Sequence, residues 1–170
     1  MAKPVFLIGY MGCGKSTVGK KLATRLKFDF IDTDSAIENM TGKPVSVIFE
    51  QEGEDAFRLL ENSVLKSLAA RNNIVIATGG GTPCFYDNMA MMNRSGITIY
   101  VKMHPDSLAK RIIDSKTERP LLRRISDNDL PSYIANHLNA RERFYNQAQL
   151  TVKGENLKVD ELHLLIQNNS

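Results

Sequence analysis

Residues 9–16 read GYMGCGKS and match the pattern G-x-x-x-x-G-K-[ST]. In this pattern the glycines let successive backbone N–H groups converge on phosphate oxygens, the lysine neutralises the β- and γ-phosphates, and the serine hydroxyl binds Mg²⁺. The stretch lies where the pattern requires, between an apolar run, Val5–Ile8, and residues with helical spacing. It therefore predicts nucleotide binding through Lys15 and Ser16. The alternative is a glycine-rich turn with a chance Lys-Ser pair.

Two carboxylates, Asp32 and Asp34, follow a second short apolar stretch at residues 28–31. If that stretch is a strand, both carboxylates lie at the C-terminal edge of the sheet, where open α/β sheets bind ligands. Side chains two residues apart on an extended segment point the same way, so both carboxylates are expected to face the phosphates. In the alternative interpretation, Asp34 caps a helix that begins at Ser35.

Two further segments carry polar groups or bare backbone that can serve a ligand. Arg58 and Glu61 are three residues apart and share one face of a predicted helix, although a solvated salt bridge is the favoured interpretation of this pair taken alone. Residues 79–81 are three consecutive glycines after an apolar strand, where bare backbone can approach a ligand closely. A flexible turn is the alternative for this triplet.

Short apolar runs alternate with helical patterns along the chain, which predicts an α/β fold with a five-stranded parallel sheet and helices on both faces. We place the strands at residues 5–8, 28–31, 74–77, 97–101 and 150–152. Apolar residues recur at helical spacing in three segments: Val18, Leu22 and Leu26; Phe57, Leu60, Val64 and Leu68; and Val159, Leu162 and Ile166. A polar break at residues 114–118 predicts a mobile loop of the kind that often acts as a lid.

Length and composition indicate one ordinary folded domain. A chain of 170 residues can bury a single core, and 42% hydrophobic with 24% charged residues excludes collagen-like, disordered and disulfide-scaffold classes. The net charge of +3 favours anionic ligands but is weak for a nucleic-acid binder, so no nucleic-acid partner is expected. Since the chain shows no long apolar run or leader-like segment, we expect a cytoplasmic protein without membrane attachment.

The cysteines and histidines suggest no metal or redox centre. Cys13 and Cys84 lie far apart and in no metal-binding or redox spacing, and the three histidines are scattered along the chain. We therefore expect two reduced thiols and no zinc site.

Six motifs follow one another along the chain: GYMGCGKST at 9–17, DTD at 32–34, FEQEGEDAFRLLE at 49–61, GGG at 79–81, RPLL from Arg119, and RERFY at 141–145. Their order and spacing resemble those of the shikimate kinases, and the resemblance covers nearly the whole chain. It implies a P-loop fold of the nucleoside-monophosphate-kinase type, a three-layer α/β/α domain with strand order 2-3-1-4-5. It also implies a shikimate-binding region at residues 33–61 and a lid at residues 112–124.

The resemblance also implies how the acceptor is bound. In such enzymes the substrate carboxylate is held by the arginines that match Arg58 and Arg141. The ring hydroxyls meet an aspartate that matches Asp34 and the backbone of Gly80 and Gly81.

The nucleotide and metal sites follow from the same resemblance. Arg119 resembles a lid arginine that closes over the phosphates, and Arg111 resembles a residue that packs on adenine. Cys13 stands where Ser or Ala is more usual, at a position that contributes mainly backbone. Ser16, and Asp32 through water, would hold Mg²⁺. The full nucleotide-binding set implied in this way is Gly12, Cys13, Gly14, Lys15, Ser16, Thr17, Arg111 and Arg119.

The implied reaction moves the γ-phosphoryl group of ATP to the 3-hydroxyl of shikimate, giving shikimate 3-phosphate and ADP for chorismate and aromatic amino acid biosynthesis. Lys15 and Arg119 would offset charge on the transferred group, and Asp34 would orient the hydroxyl and is a candidate to accept its proton. We expect a monomer that uses ATP and Mg²⁺. The alternatives are a gluconate kinase, a nucleoside monophosphate kinase, or a catalytically idle nucleotide- or nucleic-acid-binding module. The basic patch of such a module would be Lys20, Lys21, Arg123 and Arg124.

Overall fold

A single sheet of five parallel strands in the order β2-β3-β1-β4-β5 forms the centre of the computed structural model, which describes residues 1–115, 122 and 124–170. The strands are β1 (Val5–Ile8), β2 (Asp29–Asp32), β3 (Ile74–Ala77), β4 (Ile97–Lys102) and β5 (Leu150–Lys153). In register, Phe6 lies opposite Ile76 on one side and Thr98 on the other. The predicted number, direction and order of the strands are confirmed.

Helices cover both faces of the sheet, as predicted. Within the described residues they are α1 (Lys15–Leu26), α2 (Thr33–Thr41), α3 (Val45–Glu52), α4 (Glu54–Ala69), α5 (Asn88–Ser95), α6 (Pro105–Asp114), α7 (Leu130–Tyr145) and α8 (Val159–Asn168). A 3₁₀ turn spans Thr82–Cys84. None of these helices is long and apolar enough to cross a membrane.

The alternation of side chains along β1 divides the core into two layers. Val5 and Leu7 pack with residues of α1 and α8 on one face, including Leu22 and Leu162. The other face is larger, and there residues from α2 to α7 pack against Phe6 and Ile8. Because both faces are covered, β1 and β3 are fully buried and their sequences are continuous apolar runs. This is the three-layer α/β/α arrangement.

The start of β2 differs from the prediction by one residue. The N–H of Phe28 donates to the carbonyl of Ala23 at 2.8 Å and so closes the end of α1, and the strand begins at Asp29. Its last residue, Asp32, then lies directly at the start of α2.

Two expectations about the DTD motif are wrong. Asp34 does not cap a helix beginning at Ser35, because α2 begins at Thr33 and its cap is Asp32, whose Oδ1 accepts the N–H of Asp34 at 3.0 Å and that of Ser35 at 3.3 Å. The two aspartates also do not share an extended segment, because Thr33 and Asp34 are helical. Both carboxylates nevertheless line one cavity.

The predicted lid at residues 112–124 falls largely on residues 116–121 and 123, which lie outside the described residues. Helix α6 continues through Asp114, so the polar break begins at the end of that helix.

Candidate active site

The loop between β1 and α1 presents a helix N-terminus to a cavity. Gly14 has φ 90°, a left-handed conformation that side chains disfavour, and Lys15 follows it as the first residue of α1. Among the residues that the structure describes, no side chain caps this end of the helix. Its first N–H groups and the positive end of the helix dipole are therefore available to an anion.

Lys15 is held at the centre of this loop by its own backbone. The side chain is buried, and its Nζ donates to the carbonyl oxygens of Gly9 at 2.7 Å and Tyr10 at 3.0 Å, with Cys13 Sγ 3.6 Å away. Neutral carbonyl acceptors place the ammonium group without cancelling its charge. The charge thus remains available to a phosphate that reaches the loop.

Ser16 and Asp32 are in direct contact. Ser16 Oγ donates to Asp32 Oδ2 at 2.7 Å, while the other oxygen of Asp32 caps α2. Both groups are hard oxygen donors of the kind that Mg²⁺ prefers. Over the described ranges, no cluster of three or more His, Cys, Asp or Glu side chains could hold a metal ion. A Mg²⁺ ion beside Ser16 would therefore take most of its ligands from phosphate and water.

Two adjoining cavities lie at the C-terminal edge of the sheet. The first cavity, of about 460 Å³, extends from the loop between β1 and α1, residues 9–16, which we call the phosphate loop, to the ends of β2 and β3. The second, of about 500 Å³, extends from the same loop toward the residues after β5. Both are bordered by Gly14, Thr17 and Arg111, and Arg111 Nε donates to the Gly12 carbonyl at 2.7 Å. The predicted residues that line the first cavity are Gly12, Gly14, Lys15, Ser16, Thr17, Asp32, Asp34, Gly80 and Arg111.

Asp34 has an altered acidity. The pKa of its carboxyl group is raised from 3.8 to about 6, mainly by burial and then by the negative charges of Asp32 and Glu61, while Lys15 acts in the opposite direction. A carboxyl group with a pKa close to the working pH is well suited to exchange a proton with a neighbouring hydroxyl.

Arg58 is buried, with 8% of its surface exposed. Its Nη1 donates to Glu61 Oε1 at 3.0 Å, its Nη2 lies 3.5 Å from Glu54 Oε1, and its Cζ lies 4.1 Å from the centre of the Phe85 ring. Within the part of the chain that the structure describes, Nε is buried and has no hydrogen-bond partner. Nη1 and Nη2 thus each face a carboxylate oxygen, and Nε is the guanidinium nitrogen that lacks an acceptor within the described residues.

The glycine triplet brings two distant arginines together. A Cβ on Gly81 would lie 2.6 Å from Arg58 Nη2, so a side chain at this position would displace the guanidinium. A Cβ on Gly80 would lie 3.1 Å from Arg141 Nη1. The triplet thus lies between an arginine of α4 and an arginine of α7, as expected for a site that binds a carboxylate.

Arg141 is positioned by two tyrosines. Its Nη1 lies 3.4 Å from the hydroxyl of Tyr145, which donates to the Gly80 carbonyl, and its Cζ lies 5.6 Å from the centre of the Tyr10 ring. Burial raises the pKa of Tyr145 well above its usual value, so this hydroxyl stays protonated and remains a donor. Tyr10 also forms a hydrogen bond of 3.0 Å with Nδ1 of His137, one turn before Arg141.

The structure brings together nearly all of the predicted site residues. Arg58, Gly81 and Arg141 gather around the triplet beside the first cavity, and Cys13 lines the second. Arg119 lies outside the described residues. The sequence argument missed Tyr10, His137 and Tyr145, as well as Thr82 and Phe85. Tyr145 alone had a usable signal, because it follows Arg141 by four residues and so shares its helix face.

Comparison with known proteins gives a consistent result. The family model described as shikimate kinase matches residues 11–167. A shikimate kinase from Azobacteroides pseudotrichonymphae genomovar. CFP2 is 48% identical over 147 residues, which cover 86% of this chain and 86% of that protein.

Two solved structures are also similar along their whole length. The crystal structure of shikimate kinase from Bacteroides thetaiotaomicron superposes with a TM-score of 0.93 at 42% identity and covers 97% of this chain and 98% of its own. A shikimate kinase from Acinetobacter baumannii in complex with shikimate gives a TM-score of 0.89 at 32% identity, covering 100% of this chain and 96% of its own.

Proposed function

The chain belongs to the shikimate kinase family, and from this premise we propose that Arg58 and Arg141 hold the carboxylate of shikimate while Asp34 receives its 3-hydroxyl. The family's reaction uses ATP to phosphorylate that hydroxyl, giving shikimate 3-phosphate and ADP for chorismate and aromatic amino acid biosynthesis. The gluconate kinase and nucleoside monophosphate kinase alternatives are thereby set aside. What remains to be assigned is the part that each residue plays.

The observation that carries the proposal is the convergence of two arginines on one backbone segment. Arg58 comes from α4 and Arg141 from α7, and their guanidinium groups pack against consecutive glycines, Gly81 and Gly80. Arg58 Nε is buried and has no partner within the described residues, which is costly unless a ligand supplies the acceptor. A carboxylate between the two guanidinium groups satisfies this donor and neutralises part of both charges.

Asp34 supports the placement of the hydroxyl. It lines the same cavity as Lys15 and Gly80, so a substrate whose carboxylate lies at the triplet would extend its ring toward both Asp34 and the phosphate loop. With a pKa of about 6, the Asp34 carboxylate is ionised at neutral pH and can orient the hydroxyl and accept its proton. The site thus combines a base, Asp34, with a carboxylate clamp formed by Arg58 and Arg141.

Lys15 and the helix N-terminus hold the phosphates. The ammonium group of Lys15 exchanges its carbonyl acceptors for phosphate oxygens and offsets charge on the transferred group. Arg111, on the border of the second cavity, packs on the adenine, with Gly12, Cys13, Gly14 and Thr17 around the phosphates and nucleoside. Arg119 is proposed from the resemblance alone as the residue that closes over the γ-phosphate.

Magnesium fits the oxygen donors at the edge of the first cavity. Ser16 would ligate the ion directly and Asp32 through water. Ser16 Oγ lies 2.7 Å from Asp32 Oδ2, which is consistent with both residues serving the same ion. When bound, the ion would offset negative charge on the phosphates. We further propose that the protein is a cytoplasmic monomer that binds no nucleic acid, with residues 33–61 as the shikimate region and 112–124 as the lid.

The decisive experiment measures ADP release with ATP and Mg²⁺ in the presence of shikimate, shikimate methyl ester, quinate, gluconate, CMP or AMP. We expect strong release with shikimate and little with the uncharged ester, because the ester cannot engage two guanidinium groups. The Lys15→Met protein serves as the inactive control. ADP release with a nucleotide acceptor and none with shikimate would contradict the proposal, and equal rates with acid and ester would contradict the clamp.

A further inference from the structure

We propose that Thr82 is a positioning residue of the carboxylate clamp, because its hydroxyl fixes Glu61 and Glu61 in turn fixes the orientation of Arg58. Thr82 is the first residue of the 3₁₀ turn that follows the glycine triplet. This inference rests on the proposed role of Arg58 in binding the substrate carboxylate.

The contacts form a continuous chain through the interior. Thr82 is completely buried, and its Oγ1 donates to Glu61 Oε2 at 2.8 Å. Glu61 is 1% exposed, and its other oxygen, Oε1, accepts from Arg58 Nη1 at 3.0 Å. Each oxygen of this buried carboxylate therefore has one donor, and the two donors together fix its plane.

Thr82 is itself anchored by its main chain. Its N–H donates to the Gly79 carbonyl at 3.1 Å, and its carbonyl accepts from Asn88 Nδ2 at 2.9 Å. Asn88, the first residue of α5, is also fully buried, and its Oδ1 accepts from Asn62 Nδ2 at 2.7 Å. Helices α4 and α5 thus both hold the turn, so the hydroxyl of Thr82 occupies a defined position rather than a mobile one.

The hydroxyl also lies close to two acidic groups. A Cβ built on Gly79 would lie within 3.4 Å of Thr82 Oγ1, Asp34 Oδ1 and Glu61 Oε2, so these three oxygens surround one small space. Without a donor on Oε2, the Glu61 carboxylate is held through Oε1 alone, so its plane is less well defined. If Glu61 shifts, Nη1 of Arg58 loses or follows its acceptor, and the guanidinium is no longer held in the orientation that faces the substrate carboxylate.

The test is Thr82→Val, which keeps the shape of the side chain and removes the hydroxyl. We expect the KM for shikimate to rise by roughly 10-fold, the scale of one lost buried hydrogen bond to a charged group, with the KM for ATP changed less than about twofold. The preference for shikimate over its methyl ester should shrink by a similar factor. Thr82→Ser, which keeps the hydroxyl, should restore both values.

A matched control is available elsewhere in the core. Thr98 on β4 is also fully buried, and its hydroxyl bonds to Asn93 Oδ1 at 2.6 Å and accepts the N–H of Gln149 at 2.9 Å. Thr98→Val loses comparable interactions and should lower the melting temperature without changing the KM for shikimate or the ester preference. If Thr82→Val does not fold, Thr82→Ala takes its place in the same comparison.

A double-mutant cycle with Glu61→Gln separates positioning from stability. If Thr82 acts through Glu61, adding Thr82→Val to the Glu61→Gln protein should raise the KM for shikimate by less than about twofold. Additive losses, or a Thr82→Val protein with normal KM and ester preference, would overturn the inference while leaving the proposed function intact. A wild type that uses acid and ester equally well would overturn both, since there would be no clamp for Thr82 to position.

Discussion

The nucleotide side and the acceptor side of the active site are built in different ways. The proposed phosphate-binding part of the nucleotide side is one continuous stretch, residues 9–17, which would act through backbone N–H groups and the Lys15 ammonium. The acceptor side draws side chains from α2, α4 and α7, separated in sequence by more than a hundred residues between Asp34 and Arg141. The first depends on a local loop conformation, whereas the second exists only when the whole fold has formed.

The charged side chains of the two sides, Lys15 and Arg58, also have different partners. Lys15 bonds to neutral carbonyl oxygens, so its partners can be exchanged for phosphate at little electrostatic cost. Arg58 is paired with the buried carboxylate of Glu61 and covered by the ring of Phe85, so its orientation is fixed before a ligand arrives. In the proposed function, the loop would therefore bind phosphate groups with little selectivity, while Arg58 and Arg141 would select the acceptor.

Arg141→Lys should impair the use of shikimate without affecting the binding of ATP. A lysine cannot offer two parallel N–H donors, so we expect kcat/KM for shikimate to fall by roughly 30-fold to several thousand-fold, which corresponds to about 2–5 kcal/mol. The KM for ATP should barely change in the same steady-state assay. Arg143→Lys, at an exposed position of the same helix, is the control and should be nearly normal. Equal losses in both variants would contradict the clamp.

Asp34→Asn should separate binding from chemistry on the acceptor side. An amide cannot accept the hydroxyl proton, so we expect kcat to fall by about 100-fold or more while the protein still binds ATP, measured by equilibrium titration with a fluorescent nucleotide. If kcat were unchanged, Asp34 would have no part in the reaction.

The pH dependence of kcat tests how the charge of Glu61 affects the acidity of Asp34. Asp34 must be ionised to accept a proton, so kcat at saturating substrates should fall as the pH falls through about 6. Glu61 is one of the charges that raise the pKa of Asp34, so Glu61→Gln should lower that pKa and move the acidic limb to lower pH. A limb that shifts upward, or that persists in Asp34→Asn, would show that another group controls it.

Alkylation of the two cysteines compares the nucleotide side, which contains Cys13, with the acceptor side, which contains Cys84. It is the smallest of the effects that we expect. Burial raises the pKa of Cys84, although the charges of Arg141 and Arg58 act in the opposite direction. A carboxylate bound to those arginines removes part of this effect, so shikimate should slow alkylation of Cys84 about twofold or more. ATP should instead protect Cys13, which lines the nucleotide cavity. Mass-spectrometric labelling checks both, and protection of either thiol by the other ligand would contradict the division.

The sequence was sufficient for the strands and for the phosphate loop because both are encoded locally, whereas the order of the strands came from the resemblance to the shikimate kinases. Parallel strands buried on both faces are continuous apolar runs, and β1 and β3 occur at the predicted residues. Helices α3, α5, α6 and α7 were not predicted. In α5, for instance, the buried methionines at positions 89, 91 and 92 lie on one face, but a helix of eight residues is too short to show a clear helical period in the sequence.

The acceptor side was less predictable because its partners are distant in sequence. Taken alone, Arg58 and Glu61 favoured a solvated salt bridge, and that interpretation is wrong, since the structure buries both side chains. The residues that exclude water there include Phe85, which no local pattern connects to Arg58. Thr82 went unnoticed for the same reason, because its contact with Glu61 joins residues that are 21 positions apart.

Arg58 Nε, buried and without a hydrogen-bond partner among the described residues, also affects folding. An unsatisfied buried donor costs about 1–3 kcal/mol, so the ligand-free protein is less stable than its packing alone would allow. A carboxylate that takes up this donor binds only the folded state and stabilises it by mass action. Local unfolding of α4 should therefore become rarer as the acceptor accumulates, and hydrogen exchange of its amides should slow as the shikimate concentration rises.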